Sequence, residues 1–302
     1  MTWHAWKLTY RAMSPILIGD QLFGSIQRTR LYIPSWTLWG AITARLTRAW
    51  FSSATANEYD QIGKFVANNI RTSYAGIRIG ENDEGALPNF NGKWKMGIIS
   101  QPEFERAYLS SIGHTAVAPG TMTSEPGALH ETEALMPFDH SGKPVFWQFS
   151  LYIRQPWDSS GQDLLQKTMA DVMTVVENLV VGAERGYGFG HLKIVPRRDI
   201  HNPVKILNQD WPEPNDWRDS ILRAHVPVDD LKGIVVEGKT EWITRRLHQM
   251  DLDTGAWGPG QKIETREYYC PGCRIKNGEW RPTVGPYGLW RKEGFDAQSN
   301  PS

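Results

Sequence analysis

The passage from Val145 to Val195 constrains the fold most, because it sets out a strand, a helix, a glycine-rich loop and a second strand in that order. Val145, Trp147, Phe149, Leu151 and Ile153 alternate with Phe146, Gln148, Ser150, Tyr152 and Arg154, the period of two that a strand requires. Leu165, Met169, Val172, Val176 and Leu179 then recur at helical spacing. Residues 182–190 read Gly-Ala-Glu-Arg-Gly-Tyr-Gly-Phe-Gly, and His191 to Val195 returns to a strand pattern. This order is half of a ferredoxin-like or RRM-like α+β unit. It excludes a dinucleotide fingerprint, in which the glycines follow a strand and open a helix.

Glycine reaches positive φ without strain and lets another backbone approach closely. A phosphodiester chain fits against such a loop, with N–H groups and Arg185 as donors and Tyr187 and Phe189 as stacking rings. The competing reading is a helix C-cap and a tight turn, which needs one of these glycines, with the rings pinning the loop to the sheet. The residues alone leave both open.

Upstream, Trp3 to Ile18 reads as a strand broken at Ser14-Pro15, closed by the turn signal Gly19-Asp20. A helix follows, with Ser35 as the expected N-cap and Leu38, Ile42, Leu46 and Ala49 as its apolar stripe. Arg45 and Arg48 fall outside the stripe and are expected to face solvent or a partner. Gly80 to Ser141 is rich in Gly, Pro, Asn and Ser and reads as an irregular insertion lying over an RNA or a neighbouring subunit. After Pro196 the composition shifts. The expected division is residues 1–198, carrying the α+β unit, and residues 199–302, a strand-poor extension rich in Trp, Gly and Pro.

The chain balances 33 basic against 33 acidic residues. A lone, non-specific nucleic-acid binder carries a basic excess, whereas a subunit of a larger complex needs only a local basic stripe. Fourteen tryptophans suit a core and subunit contacts, with some available for base stacking. Two cysteines are too few for a disulfide framework. No signal peptide or membrane-length apolar run is evident, so the cytoplasm is the expected compartment. Cys270-Pro-Gly-Cys273 has the spacing of half a zinc site, but a closed site needs four ligands and the nearest preceding histidine is His248, so no metal or cofactor is expected. A general base could be His4, His114, His130 or His191, the last adjoining the glycine loop. Asp20 and the pair Glu131 and Glu133 are carboxylates that suit a metal, or equally a turn and a strand edge.

The loop Gly182 to Ile194 resembles the C-terminal glycine-rich motif of the RAMP superfamily of CRISPR-associated proteins. Ser14 to Asp20, followed by Tyr32 to Ala41, resembles the opening of type III effector subunits, and Gly127 to Leu135, followed by Val145 to Ile153, resembles their central stretch. The resemblance implies an RRM-like or ferredoxin-like RAMP fold with large insertions and an irregular C-terminal extension. It implies a subunit that holds the backbone or 5′ handle of a CRISPR RNA, contacts other RAMP subunits and meets target RNA indirectly. By transfer, Ser35, Trp36 and Thr37 at a helix start face RNA, as do Gly186, Tyr187, Gly188, Phe189 and Gly190; Arg45, Arg48 and Arg185 add charge. The segment between Asp20 and Tyr32 is short and matches no aspartate-bearing loop of the target-cutting members, which argues for a non-catalytic subunit. The alternative is a RAMP-type endoribonuclease, for CRISPR RNA processing or target cleavage, using Asp20 or His191.

Overall fold

The computed structural model describes residues 2–80, 85–125, 127–158, 166–196, 204–207, 220–250, 257–278 and 280–292, with the backbone alone at 204–207, 245–250 and 257–262. Its centre is an antiparallel sheet. Strand β1 (Thr2–Ala12) pairs antiparallel with β12 (Phe146–Gln155) from Thr2 opposite Gln155 to Arg11 opposite Phe146. The other edge of β1 takes β14 (His191–Ile194) and, nearer the chain start, β15 (Val204–Leu207). β13 (Asn178–Val180) forms a hairpin with β14 across the glycine loop. On the far side, β12 pairs with β4 (Ile70–Thr72) and β5 (Gly76–Arg78), and β6 (Gly85–Ala86) adds the edge. Helices α1 (Ser35–Trp50) and α2 (Ala56–Asn69) join β1 to β4, and α4 (Met169–Val175) joins β12 to β13. The order β14-β1-β12-β5, with a helix in each crossover, is the expected α+β, ferredoxin-like arrangement.

The alternation of β1 explains where the core lies. Trp6, Leu8, Tyr10 and Ala12 share one face with Trp147, Phe149, Leu151 and Ile153 of β12. They meet Leu38, Ile42 and Leu46 of α1 and Ile62, Phe65 and Val66 of α2. The Tyr10 and Phe149 rings stack at 5.3 Å, and the Tyr10 hydroxyl donates to the Val176 carbonyl at 2.8 Å, tying the sheet to the end of α4. Thr55 and Glu58 close a reciprocal capping box at the start of α2.

The opposite face is not open. Trp3, Ala5 and Tyr152 lie in a second core with Leu222, Val226, Leu231, Cys270, Cys273, Trp280, Val284 and Trp290. The C-terminal third is therefore not strand-poor. It carries β16 (Val226–Pro227), β17 (Val235–Glu237), the long ribbon β18 (Thr240–Met250) and β19 (Trp257–Tyr269), β20 (Arg274–Asn277), and the hairpin β21 (Pro282–Val284) and β22 (Trp290–Lys292). A largely buried Arg291–Asp230 pair at 2.8 Å fixes β22 against the turn at Val228–Leu231.

The stretch from Gly80 to Ser141 also departs from expectation. It holds the small sheet β7 (Pro88–Phe90), β8 (Trp94–Met96) and β9 (Ile99–Ser100), and helix α3 (Gln101–Tyr108), started by a capping box of Ser100 and Glu103. Strands β10 (Leu109–His114) and β11 (His130–Leu135) then pair and join β3 (Ile26–Thr29) and β2 (Gly19–Phe23) in a second sheet. The helix expected from Leu165 to Leu179 is shorter, because Leu179 belongs to β13; Leu165 lies outside the described residues. Among the described residues, no helix is long and apolar enough to cross a membrane.

The start of α1 holds a further correction. Pro34, not Ser35, is the N-cap, and Ser35 is 1% exposed with its Oγ 2.5 Å from Thr72 Oγ1. The turn Pro286–Gly288 sits over this end: a Cβ on Gly288, whose φ is +67°, would lie 2.0 Å from Ser35 Oγ. Trp39 meets Tyr287 edge-on at 5.0 Å. Gly288→Ala combines left-handed backbone strain of about 1–2 kcal/mol with overpacking of about 1–3 kcal/mol. It should lower unfolding free energy by roughly 2–4 kcal/mol in urea titration; a midpoint unchanged from the parent would refute the docked turn.

Candidate nucleic-acid interface

The glycine loop is built against Pro15 to Ile18. Gly190 N–H donates to the Pro15 carbonyl at 2.8 Å and Ala183 N–H to the Leu17 carbonyl at 2.9 Å. Leu135 and Ile16 exchange both backbone bonds at 2.9 Å, and Phe189, Leu17 and Ala134 form a small core of their own. The three sequence motifs thus converge: the segment after β1, strand β11 and the loop contact one another directly.

This packing divides the loop into two sides. Phe189 is 6% exposed, so its ring pins the loop and is not a stacking platform. Gly190 has φ +86°, and a Cβ there would lie 2.0 Å from the Val181 carbonyl oxygen, so its role is close packing. Arg185, Gly186, Tyr187 and Gly188 face outward, on a 3-10 turn preceded by Glu184 in the left-handed region at φ +55°. The first N–H groups of that turn, on Arg185 and Gly186, take no acceptor within it. Tyr187 is 73% exposed and lies 5.7 Å from His114, which stacks on His130 at 5.2 Å across the β10–β11 ladder.

The outward side of the loop opens on a groove of about 910 Å³ between α1 and the β13–β14 hairpin. Arg45 and Arg48 line it from the helix, Arg185, Gly186 and Gly188 from the loop, and His191 and Lys193 from β14. Among the described residues its lining carries no carboxylate. Arg48 Nε donates to the Tyr59 hydroxyl at 3.1 Å, while Arg45, Arg185 and Lys193 have no side-chain partner among the described residues. Cations left without acceptors beside one cleft, with turn N–H groups at its rim, form an anion-binding surface. Lys193 was not singled out in the sequence; its place follows from β14 alternation, which buries Leu192 and turns His191 and Lys193 outward.

Ser35, Trp36 and Thr37 are not part of this groove. Ser35 is buried under the C-terminal turn, and the Trp36 ring packs edge-on against Tyr74 and 5.1 Å from His225 in the second core. The groove meets α1 along its middle and last turns instead. Asp20 lines a different cavity, of about 240 Å³, where it pairs with Arg30 at 3.3 Å. Glu131 accepts from Ser111 at 3.0 Å and Glu133 pairs with Arg28 at 3.1 Å. Asp20 and His191 therefore sit in separate clefts.

Beneath the smaller cavity lies a chain of polar groups. Tyr74 Oη is 2.7 Å from His225 Nδ1, His225 Nε2 meets Glu241, and Glu241 holds Arg30 in a bidentate pair at 2.8 and 2.9 Å. Burial opposes the Glu241 charge, yet the bonds from His225 and Arg30 outweigh it and hold its carboxyl well below the usual carboxylate range. Burial pushes His225 below its ordinary value, more than Glu241 raises it. Burial raises the Cys270 thiol well above its ordinary value.

No protein-family model matches the chain, and no curated protein matches it. Among solved structures, a chain of the Type III-B Cmr-beta complex bound to cognate target RNA and AMPPnP is similar to 89% of this chain over 85% of its own length, with a TM-score of 0.50 and 12% identity. A chain of the same complex bound to cognate target RNA gives a TM-score of 0.48 at 10% identity, covering 89% of this chain and 86% of that one. One from the apo state gives 0.40 at 12% identity, covering 65% of this chain and 98% of that one. The fold is α+β, and it is the fold of that chain of the Type III-B Cmr-beta complex.

Gly190→Ala should destabilise the chain by roughly 2–4 kcal/mol, because strain and the Val181 carbonyl act together. Gly186, with open space around it, should tolerate alanine within about 0.5 kcal/mol. Thermal unfolding of the two variants side by side checks this; equal losses would mean that the two sides of the loop are not distinct.

Proposed function

We propose that the chain is a non-catalytic RNA-holding subunit of a type III-like CRISPR effector ribonucleoprotein, with the CRISPR RNA backbone lying in the groove between α1 and the β13–β14 hairpin. The observation that carries this reading is the groove's charge: Arg45, Arg48, Arg185 and Lys193 converge on one cleft with no carboxylate lining it among the described residues. A protein with zero formal net charge that gathers these cations in one cleft, with no ion-pair partner for them among the described residues, offers a local site for an anion. Outward-facing Tyr187, with His114 and His130 beside it, extends the cleft with rings on which bases stack.

The similar chain of the Type III-B Cmr-beta complex comes from an assembly bound to cognate target RNA. Transferred to this chain, that supports RNA and sibling subunits as its partners, with target RNA reached through the guide. A fixed position inside such a particle also accounts for binding by backbone contacts, since phosphates position the strand while pairing reads its sequence.

Arg45→Ala and Arg185→Ala should each weaken binding of single-stranded repeat-derived RNA about tenfold, a charged hydrogen bond being worth about 1.5–3 kcal/mol. Each should flatten the salt dependence by about 0.7 in the log–log slope, with the unfolding midpoint unchanged. Fluorescence anisotropy at several salt concentrations measures both; retention of parent affinity and slope in both variants would remove the groove as an RNA site.

The same groove holds His191, and among the described residues its lining offers no carboxylate to orient the ring. Incubated with repeat RNA or guide-paired target RNA, with magnesium or with EDTA, the chain should leave the RNA intact. A discrete cut that disappears in His191→Ala would assign the groove to an endoribonuclease instead.

A further inference from the structure

We propose that His225, Glu241 and Cys270 form a divalent metal site of the zinc type at the seam between the central sheet and the C-terminal strands. One ligand atom from each, the imidazole nitrogen, a carboxylate oxygen and the thiol sulfur, lies within 4.8 Å of the other two. The sheet produces this convergence. β19 pairs with β16 at Val226 opposite Tyr269 and with β18 at Glu241 opposite Tyr268. His225 immediately precedes Val226 and Cys270 immediately follows Tyr269, so three residues far apart in sequence arrive at one end of a three-stranded sheet.

The surroundings are those of a prepared site. His225 is 0% exposed, and Tyr74 Oη at 2.7 Å from Nδ1 fixes the ring so that Nε2 points at Glu241 and the cluster. A second partner holding the far nitrogen is the usual arrangement for a metal-bound histidine. Arg30 orients the Glu241 carboxylate by holding both oxygens, Nη2 on Oε2 at 2.8 Å and Nη1 on Oε1 at 2.9 Å, and Oε1, which also faces His225, is the oxygen turned toward the cluster. Burial disfavours the charged form of His225, and a metal on Nε2 would leave the ring hydrogen on Nδ1, where the Tyr74 hydroxyl oxygen can accept it. Cys270 would give up its proton when the ion binds, forming the metal–sulfur bond and releasing one proton to solvent.

Mixed nitrogen, oxygen and sulfur donors favour zinc over magnesium or calcium, which take oxygen. Three protein ligands leave a fourth position, and Cys270 also lines the cavity of about 240 Å³, so water can fill it. Cys273 is not a ligand in this arrangement: its Sγ lies 3.1 Å from the Lys239 carbonyl oxygen. The site is therefore not a paired-cysteine half-finger, although it uses one cysteine of that motif. It makes no use of the RNA groove and stands apart from the RNA-holding reading.

The test uses the full chain, expressed in zinc-supplemented medium, purified under reducing conditions and analysed by elemental mass spectrometry. About one zinc per chain is expected, and exhaustive chelation should lower the melting temperature. Cobalt added to the chelated chain should give a near-ultraviolet thiolate-to-cobalt band. Cys270→Ser should abolish that band and Cys273→Ser should keep it. Less than a tenth of an equivalent of zinc, cobalt bound without the thiolate band, or loss of the band in Cys273→Ser as complete as in Cys270→Ser would each overturn the proposal. The elemental and cobalt measurements on the unmutated chain hold even if a variant fails to fold.

Discussion

The antiparallel ladder between β1 and β12 is the constraint on which the molecule depends. It is buried on both faces near the chain start, with α1 and α2 packed on one side and the C-terminal core on the other. A strand covered on both faces accepts no shift of register, since a slip of one residue would exchange the two sets of side chains between unlike surroundings. The ladder therefore fixes the helices, the C-terminal strands and, through the pairing of β14 with β1, the glycine loop as well. In such a layout the sheet face is spent on packing, and the cationic groove lies to the side, where a helix and a hairpin leave a cleft between them.

Much of this was legible in the residues. The alternation in β12 and β1 and the helical stripe of α1 are strong signals because a core enforces them. The same stripe correctly turned Arg45 and Arg48 outward, though Ala49, counted with it, is exposed. Between Gly80 and Ser141, the strands β6 to β9 span only two or three residues each, too few for a period to register. The ribbon β18–β19 was missed for another reason: of its described side chains, Trp242 is 67% exposed and Ile263 is exposed too, so burial imposes little alternation on those residues.

The site was legible in part. That Arg185 belongs with Arg45 and Arg48 depends on how the hairpin folds back beside α1, which no local pattern records. Tyr187 and Phe189 looked alike in sequence and have opposite roles, because Leu17 and Ala134 offer a socket to one ring and nothing to the other. The reading of the α1 start failed on a long-range contact: Gly288 comes from the far end of the chain. His225 and Glu241 gave no sign of belonging with Cys270 because their association rests on strand pairing across a wide separation in sequence.

The turn over the start of α1 also bears on how the chain reaches its native state. Ser35 and Gly288 touch although about 250 residues separate them, so the contact closes a long loop at a high entropic cost. During synthesis at roughly 5–20 residues per second, the first helix waits tens of seconds with its leading end uncovered. A hydroxyl destined for complete burial is meanwhile wet, and the surface that will receive the turn is open to other chains. Any contact that this surface made before Gly288 emerged would compete with the closure.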